Sequence, residues 1–425
     1  MAAVVVRRRF PPAGPISLDS RNRQVVAVGH MNVRHVPAFL ALALGGAACG
    51  LSEPPFDPPP VDAPFVAVGA GVLHTCGTTA SGHVYCWGWN RDGELGDGSR
   101  TDRDLPVRVV SESSFASVSG GGGHTCAVTA AGKPYCWGFN LSGQLGDASG
   151  AGAVTPVAVA GGLALVGVEA GGSLTCGVAT DSTAWCWGWG AYGQLGDSGR
   201  VDRRAPAAVR GDLKFLAVSA GVRHSCGLAA DSTAWCWGAN DAGQLGNGST
   251  ADAVTPAPVA GGRRFTAVSA GFTHTCARET NGDVYCWGDN SLGQLGDTLV
   301  SQALVPNRVL AGVAFGSISA GASHTCGVTV SGAGYCWGSD ASGQLGSQPV
   351  SACAAAAATQ PCTRVPALVL GGLTFRSVGA GTQHSCGVTT GNVVYCWGLN
   401  DRGQLGDGST RGSVTPVRVG KQFGL

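Results

Sequence analysis

The feature that most constrains this chain is a period. His-Thr-Cys at 74–76 is followed by Tyr-Cys-Trp-Gly at 85–88 and by a glycine-rich stretch ending Gly93-Glu-Leu-Gly-Asp97. The block returns six more times, its first cysteine at 76, 126, 176, 226, 276, 326 and 386, spaced by 50 residues five times and by 60 once. A strict period of this size marks one supersecondary unit stacked on copies of itself. Four short β-favouring segments recur in each unit; in the second they are 106–110, 115–119, 124–129 and 134–138. Glycine and proline punctuate them and no long helical period is present. Four strands per unit, seven times over, predict an all-β chain with a single seven-bladed β-propeller over residues 65–425.

Register follows from the turn at Ala80-Ser81-Gly82. Centring it on Ser81 places Cys76 opposite Cys86, close enough for a disulfide, and by repetition pairs Cys126 with Cys136, Cys176 with Cys186, Cys226 with Cys236, Cys276 with Cys286, Cys326 with Cys336 and Cys386 with Cys396. Cys353 and Cys362 pair within an insertion at 348–363, between repeats six and seven. Of 17 cysteines only Cys49 is left alone, which favours an oxidising compartment. The same register sets Tyr85 against Gly77 and Trp87 against Thr75, so both aromatics are expected in the core between blades. A His-x-Cys zinc site is excluded by the third repeat, where Leu174 replaces the histidine while both cysteines stay. The histidines are expected to be hydrogen-bonded structural residues. Segments beginning at Pro106, Pro156, Pro206, Pro256, Pro306, Pro366 and Pro416 provide seven further strands. None precedes the first hairpin, so Pro416–Val419 is expected to return to the first unit and close the ring there.

Ahead of the repeats, residues 1–30 read as a mis-called or unstructured extension. Residues 31–48 have the form of a signal peptide: Arg34 and His35, an apolar run to Leu44, then small residues ending at Cys49. That box resembles a bacterial lipoprotein cleavage site, although Gly46 stands where Leu or Val is commoner, so Cys49 is expected to carry a lipid. Residues 49–64 form a proline-rich linker. A membrane contact is expected through that anchor alone, giving an exported protein at the cell surface, in the periplasm, or secreted.

The recurring Ala-Gly-x-x-His-Thr-Cys and Tyr-Cys-Trp-Gly-x-Asn-x-x-Gly-Gln-Leu-Gly-Asp pattern resembles the regulator of chromosome condensation repeat family over residues 65–425. The resemblance implies the same seven-bladed fold. The family's eukaryotic namesake is a nucleotide exchange factor on chromatin, whereas this chain is similar to exported bacterial members whose loops bind proteins. Charged residues are 12% and net charge is +1, with the dense basic run Arg7-Arg8-Arg9 outside the repeats, so a nucleic-acid partner is not expected. No catalytic constellation, metal set or cofactor motif stands apart from the repeat positions. The expected function is that of a monomeric, non-catalytic scaffold for a protein partner, with an exchange-factor-like regulator or an extracellular hydrolase as alternatives. The residue after Cys-Trp-Gly varies between repeats, and its four large apolar members, Trp89, Phe139, Trp189 and Leu399, fall in adjacent blades. With Tyr192 they form the candidate partner-binding patch.

Overall fold

The computed structural model describes residues 57–309, 312–348, 351–355 and 358–424; the N-terminal extension, the signal segment, Cys49 and the first half of the proline-rich linker lie outside them. Those residues form 29 strands and no helix, arranged as seven antiparallel sheets. In the first blade the strands are β1 (Phe65–Ala70), β2 (His74–Thr79), β3 (Val84–Gly88) and β4 (Arg103–Arg108), paired in that order. The chain is all-β and seven-bladed, as the repeat arithmetic requires. The expected register is met residue for residue, with Cys76 opposite Cys86, Gly77 opposite Tyr85 and Thr75 opposite Trp87.

The seven repeat disulfides lie within blades, joining the second strand to the third. Their Cα atoms are 4.0–4.1 Å apart, the close spacing of a pair directly opposite on adjacent strands. Cys353 and Cys362 also bond each other. Their segment, expected as an insertion between repeats, forms an added hairpin of Ser351–Ala355 with Ala358–Leu368, making the sixth blade five-stranded.

The expected closure is not what forms. The strand Ser413–Arg418, which contains Pro416, pairs with Val394–Gly398 in the seventh blade, and the first blade has its own outer strand β4. The reason is local. After each third strand the glycine-rich turn reverses the chain onto the edge it has just left, so the outer strand joins the hairpin that precedes it. A strand arriving from the C-terminus would find Val84–Gly88 already paired.

The ring is instead held by seven similar joints. Each has one apolar cluster between neighbouring blades; that between blades one and two contains Cys76, Cys86, Leu95, Phe115 and Trp137, and that between seven and one contains Phe65, Trp87, Cys396 and Leu405. The leucine of the Gly-Gln-Leu-Gly turn is fully buried in every repeat, as is the tryptophan of Cys-Trp-Gly. The turn of each blade thus plugs the next blade's core. The indole N–H of Trp137 donates to the Glu94 carbonyl at 2.8 Å, and that of Trp87 to the Gln404 carbonyl at 3.0 Å. The second joint in that pair closes the ring by the bond used elsewhere. The termini add to it: the Val61 N–H donates to the Lys421 carbonyl at 2.8 Å, and Lys421 pairs with Asp57 at 2.6 Å.

The small residue opposite each first aromatic has a cause that cross-strand pairing alone does not supply. A methyl group on Gly77 would lie 2.7 Å from the ring of Phe65, and one on Gly227 2.6 Å from Phe215. The innermost-strand phenylalanine fills that space.

Candidate functional site

The backbone of the variable position is the same in all seven blades. The N–H of Trp89 donates to the Leu73 carbonyl at 2.9 Å, that of Phe139 to Gly123 at 2.7 Å, that of Trp189 to Ser173 at 2.8 Å and that of Leu399 to Gln383 at 2.8 Å. These bonds tie it to the loop between the first and second strands and put all seven copies on one rim. Trp89, Phe139, Trp189, Tyr192 and Leu399 are half-buried, while the copies at Ala239 and Ser339 are covered. A constant backbone with a changing, partly open side chain is how a scaffold varies its contact surface.

The side chains are held by partners both near and remote in sequence. The Trp89 ring lies against two guanidinium groups, Arg91 at 4.8 Å and Arg402 at 4.4 Å. Trp189 and Tyr192 meet edge-to-face at 5.3 Å. Arg223 lies over both Tyr192, at 5.3 Å, and Phe272, at 5.6 Å, and is anchored to Asp241 at 3.1 Å. Cation–π contacts of this kind hold rings in place. Arg223, Phe272 and Arg402 were not singled out from the sequence.

Beneath this rim runs an inner ring of polar groups. Six histidines, His74, His124, His224, His274, His324 and His384, are buried. Each Nε2 lies 2.8 or 2.9 Å from the Thr or Ser hydroxyl of the next blade. That hydroxyl in turn donates to a carbonyl, as Thr125 does to Glu94 at 2.8 Å. Because a carbonyl only accepts, the hydroxyl proton is committed to it and the imidazole Nε2 must carry the proton of the other bond. Nδ1 is then an unprotonated acceptor without a partner in all six. Burial pushes these imidazoles down to about 3 or 4, so they are neutral. They serve as joints between blades.

Among the carboxyl groups that interrupt the repeat chemistry are two glutamates. Glu94 stands where the other six turns have glutamine and is 1% exposed. One oxygen accepts the Asp92 N–H at 2.9 Å, the other has no partner. Burial first, then the nearby Asp92 and Asp102 charges, push it up to about 7. Glu169 lies in the central lumen, a cavity of about 380 Å³. The equivalent residues are Ser119, Ser219, Ser269 and Ser319, with Gly69 and Gly379 in blades one and seven. The Glu169 side chain is open to the lumen, and the surrounding walls raise its carboxyl to about 7.

A closed ring of four-stranded blades, each locked to the next by its Gly-Gln-Leu-Gly turn, defines a propeller of the chromosome-condensation-regulator type. The RCC1-like domain matches residues 192–424. The regulator of chromosome condensation (RCC1) repeat matches 81–128 in one form and 65–94 and 115–144 in another. The chain belongs to the RCC1-like domain family. Human WBSCR16 superposes with a TM-score of 0.70 at 20% identity, over 79% of this chain and 93% of that one. Yeast RCC1 (Prp20), solved bound to Kap60, does so with a TM-score of 0.71 at 19% identity, over 89% and 91%. The ultraviolet-B receptor UVR8 of Arabidopsis thaliana is 54% identical over 44 residues, a tenth of each chain.

Proposed function

We infer that this chain is a non-catalytic scaffold that captures a protein partner on the rim carrying Trp89, Phe139, Trp189, Tyr192 and Leu399. The observation that carries the reading is the aromatic and arginine arc there: rings set by Arg91, Arg402 and Arg223 on a backbone identical in every blade. Tryptophan, tyrosine and arginine dominate binding hot spots because they bury large areas at small entropic cost. That yeast RCC1 was solved with Kap60 bound is consistent with a propeller of this type holding a protein. The eight disulfides fit an exported head, tethered through Cys49 and the proline-rich linker and acting as a monomer.

The test compares proteins retained from envelope extracts by the wild-type chain and by Trp89→Ala and Trp189→Ala variants with unchanged melting curves. The reading expects a specific retained protein that both variants lose. Equal retention by all three removes the rim from the function. Mass spectrometry of the mature N-terminus checks the tether, which an unmodified Cys49 or a retained Met1 would eliminate.

A further inference from the structure

The lumen is built from the innermost strands, and its chemistry is regular except in one blade. Four serines line it, and each accepts a backbone N–H from the next blade: Ser119 from Ala170 at 3.0 Å, Ser219 from Ala270 at 3.0 Å, Ser269 from Ala320 at 2.9 Å and Ser319 from Ala380 at 3.0 Å. Those bonds fix the oxygens and leave each with a lone pair and a proton to offer. Val68, Val118, Val218, Val268, Ile318 and Val378 also line the cavity. Glu169 is the one ionisable side chain in the lining, and none of the ion pairs among the described residues involves it. The third blade is also the one where Leu174 replaces the histidine that stands behind the lumen elsewhere. The third blade therefore contributes no histidine of its own; the His124 imidazole that reaches its Thr175 from the second blade is neutral, and no cation lines the cavity.

We propose that the lumen is a binding site for a small organic cation, a primary ammonium or guanidinium group on a short alkyl stem, with Glu169 as its counter-ion. The serine oxygens accept the remaining N–H bonds, and the portions of Val68, Val118, Val268 and Ile318 left uncovered by packing between blades meet the stem. A hard divalent metal is a poor fit, because calcium and magnesium take six or more oxygen ligands, usually with more than one carboxylate. The cation is either a free metabolite or a lysine or arginine side chain presented by a partner; the chemistry at Glu169 is the same.

The site has a defined pH dependence. The strands flanking Glu169 in neighbouring blades, Phe115–Gly120 and Phe215–Ala220, have no titratable residue. Its pairing partner Leu174–Ala179 has only the disulfide-bonded Cys176. The histidines around the lumen stay neutral above about pH 4. A carboxyl group that titrates near 7 is about a tenth ionised at pH 6 and about nine-tenths at pH 8, so affinity is expected to rise about tenfold between them.

The experiment is isothermal titration of the full chain with n-butylammonium, agmatine, the neutral control n-butanol and the peptide Gly-Gly-Arg-Gly-Gly. Saturable 1:1 binding of at least one cation and none of n-butanol is expected, about tenfold tighter at pH 8 than at pH 6. Glu169→Gln is expected to abolish both the binding and its pH dependence. Glu169→Ser, which installs the residue four other blades already carry, keeps the test valid if the glutamine variant does not fold. Tighter binding of agmatine than of the peptide identifies a free amine as the source, and the reverse identifies a partner's side chain. No saturable cation binding to the wild type, an unchanged affinity in either variant, or a flat pH profile overturns the proposal.

Discussion

Glu94 offers a direct measurement of what the repeat contributes to stability. Six turns place glutamine at this position, and the glutamine oxygen accepts a backbone N–H two residues before it, as Gln194 does from Tyr192 at 2.8 Å. Glu94 keeps that bond and adds a charge in a site 1% exposed, beside Asp92 and Asp102. Its carboxyl titrates at about 7 in the fold, against 4.5 unfolded. An acid whose folded pKa is raised favours the fold fully below its unfolded value, and that contribution is lost as pH rises through the folded value. The loss is about 2 kcal/mol at pH 6 and about 3.4 kcal/mol at pH 8.5. Glu94→Gln removes the titration, so its advantage over wild type is expected to grow by about 1.4 kcal/mol between those two pH values. The absolute gain is smaller than the full penalty, since the new amide would have no acceptor, as in Gln144 and Gln194, at about 1 kcal/mol. With about 2.1 cal/mol/K of unfolding entropy per residue, 1.4 kcal/mol is about 2 °C in a chain of this size. Thermal melts of both proteins across pH 6–8.5 read this difference, and Glu169 cancels because both carry it. A melting-temperature difference that does not change with pH refutes the assignment of the raised carboxyl to Glu94.

The histidine ring predicts acid sensitivity: these imidazoles have folded pKa values depressed from 6.5 to about 3 or 4, so their stability contribution is present above 6.5 and falls away as pH drops toward 4. Proton uptake on unfolding is expected to approach six over that range; a melting temperature unchanged from pH 7 to pH 4 refutes it. Reduction opens loops of about eleven residues, each contributing roughly 3 kcal/mol at most, and is expected to lower the melting temperature markedly, whereas an unchanged melt would deny the disulfides a stabilising role. Gly321→Ala would drive a methyl group into the Gly381 carbonyl oxygen across the joint, with an expected loss of about 2 kcal/mol or more in denaturant unfolding; a loss under about 0.5 kcal/mol would mean that the joint is looser than described. Trp237→Phe removes the N–H donated to the Gln194 carbonyl at 3.0 Å and part of a buried ring, with an expected cost of about 2 kcal/mol, and an unchanged unfolding midpoint would show that the turn is not locked there.

The period, the strand count and the hairpin register were all legible, because a turn centred on Ser81 leaves one way to pair Cys76 and to place Trp87 over Thr75. The phase of the repeat was not. A strand at Pro106 could complete the blade before it or the blade after it, and a cyclic sequence looks alike under either division; only the direction in which the Gly93–Gly96 turn folds back decides. The rim residues were legible as the place where seven copies disagree. Their partners were not, since Arg402 reaches Trp89 across the closed ring and Arg223 reaches Tyr192 from the next blade. Glu94 and Glu169 carried a usable signal, a lone acid in a column otherwise of glutamine or of serine and glycine. Leu174 also stood out, and its place beside Glu169 in the third blade shows only once the innermost strands are seen to enclose a lumen.

Because the seventh blade meets the first through the same tryptophan-to-turn bond that joins its neighbours, closing the ring needs no fastening of its own, and the termini only add to it. A chain cut at Gly161-Gly162 or Gly261-Gly262, exposed turns with open space around them, and rejoined through a linker between residues 424 and 57 is expected to build the same circle from a different starting blade. A joint made of contacts intrinsic to every copy also lets a gene grow or shrink by whole blades without inventing a new fastening.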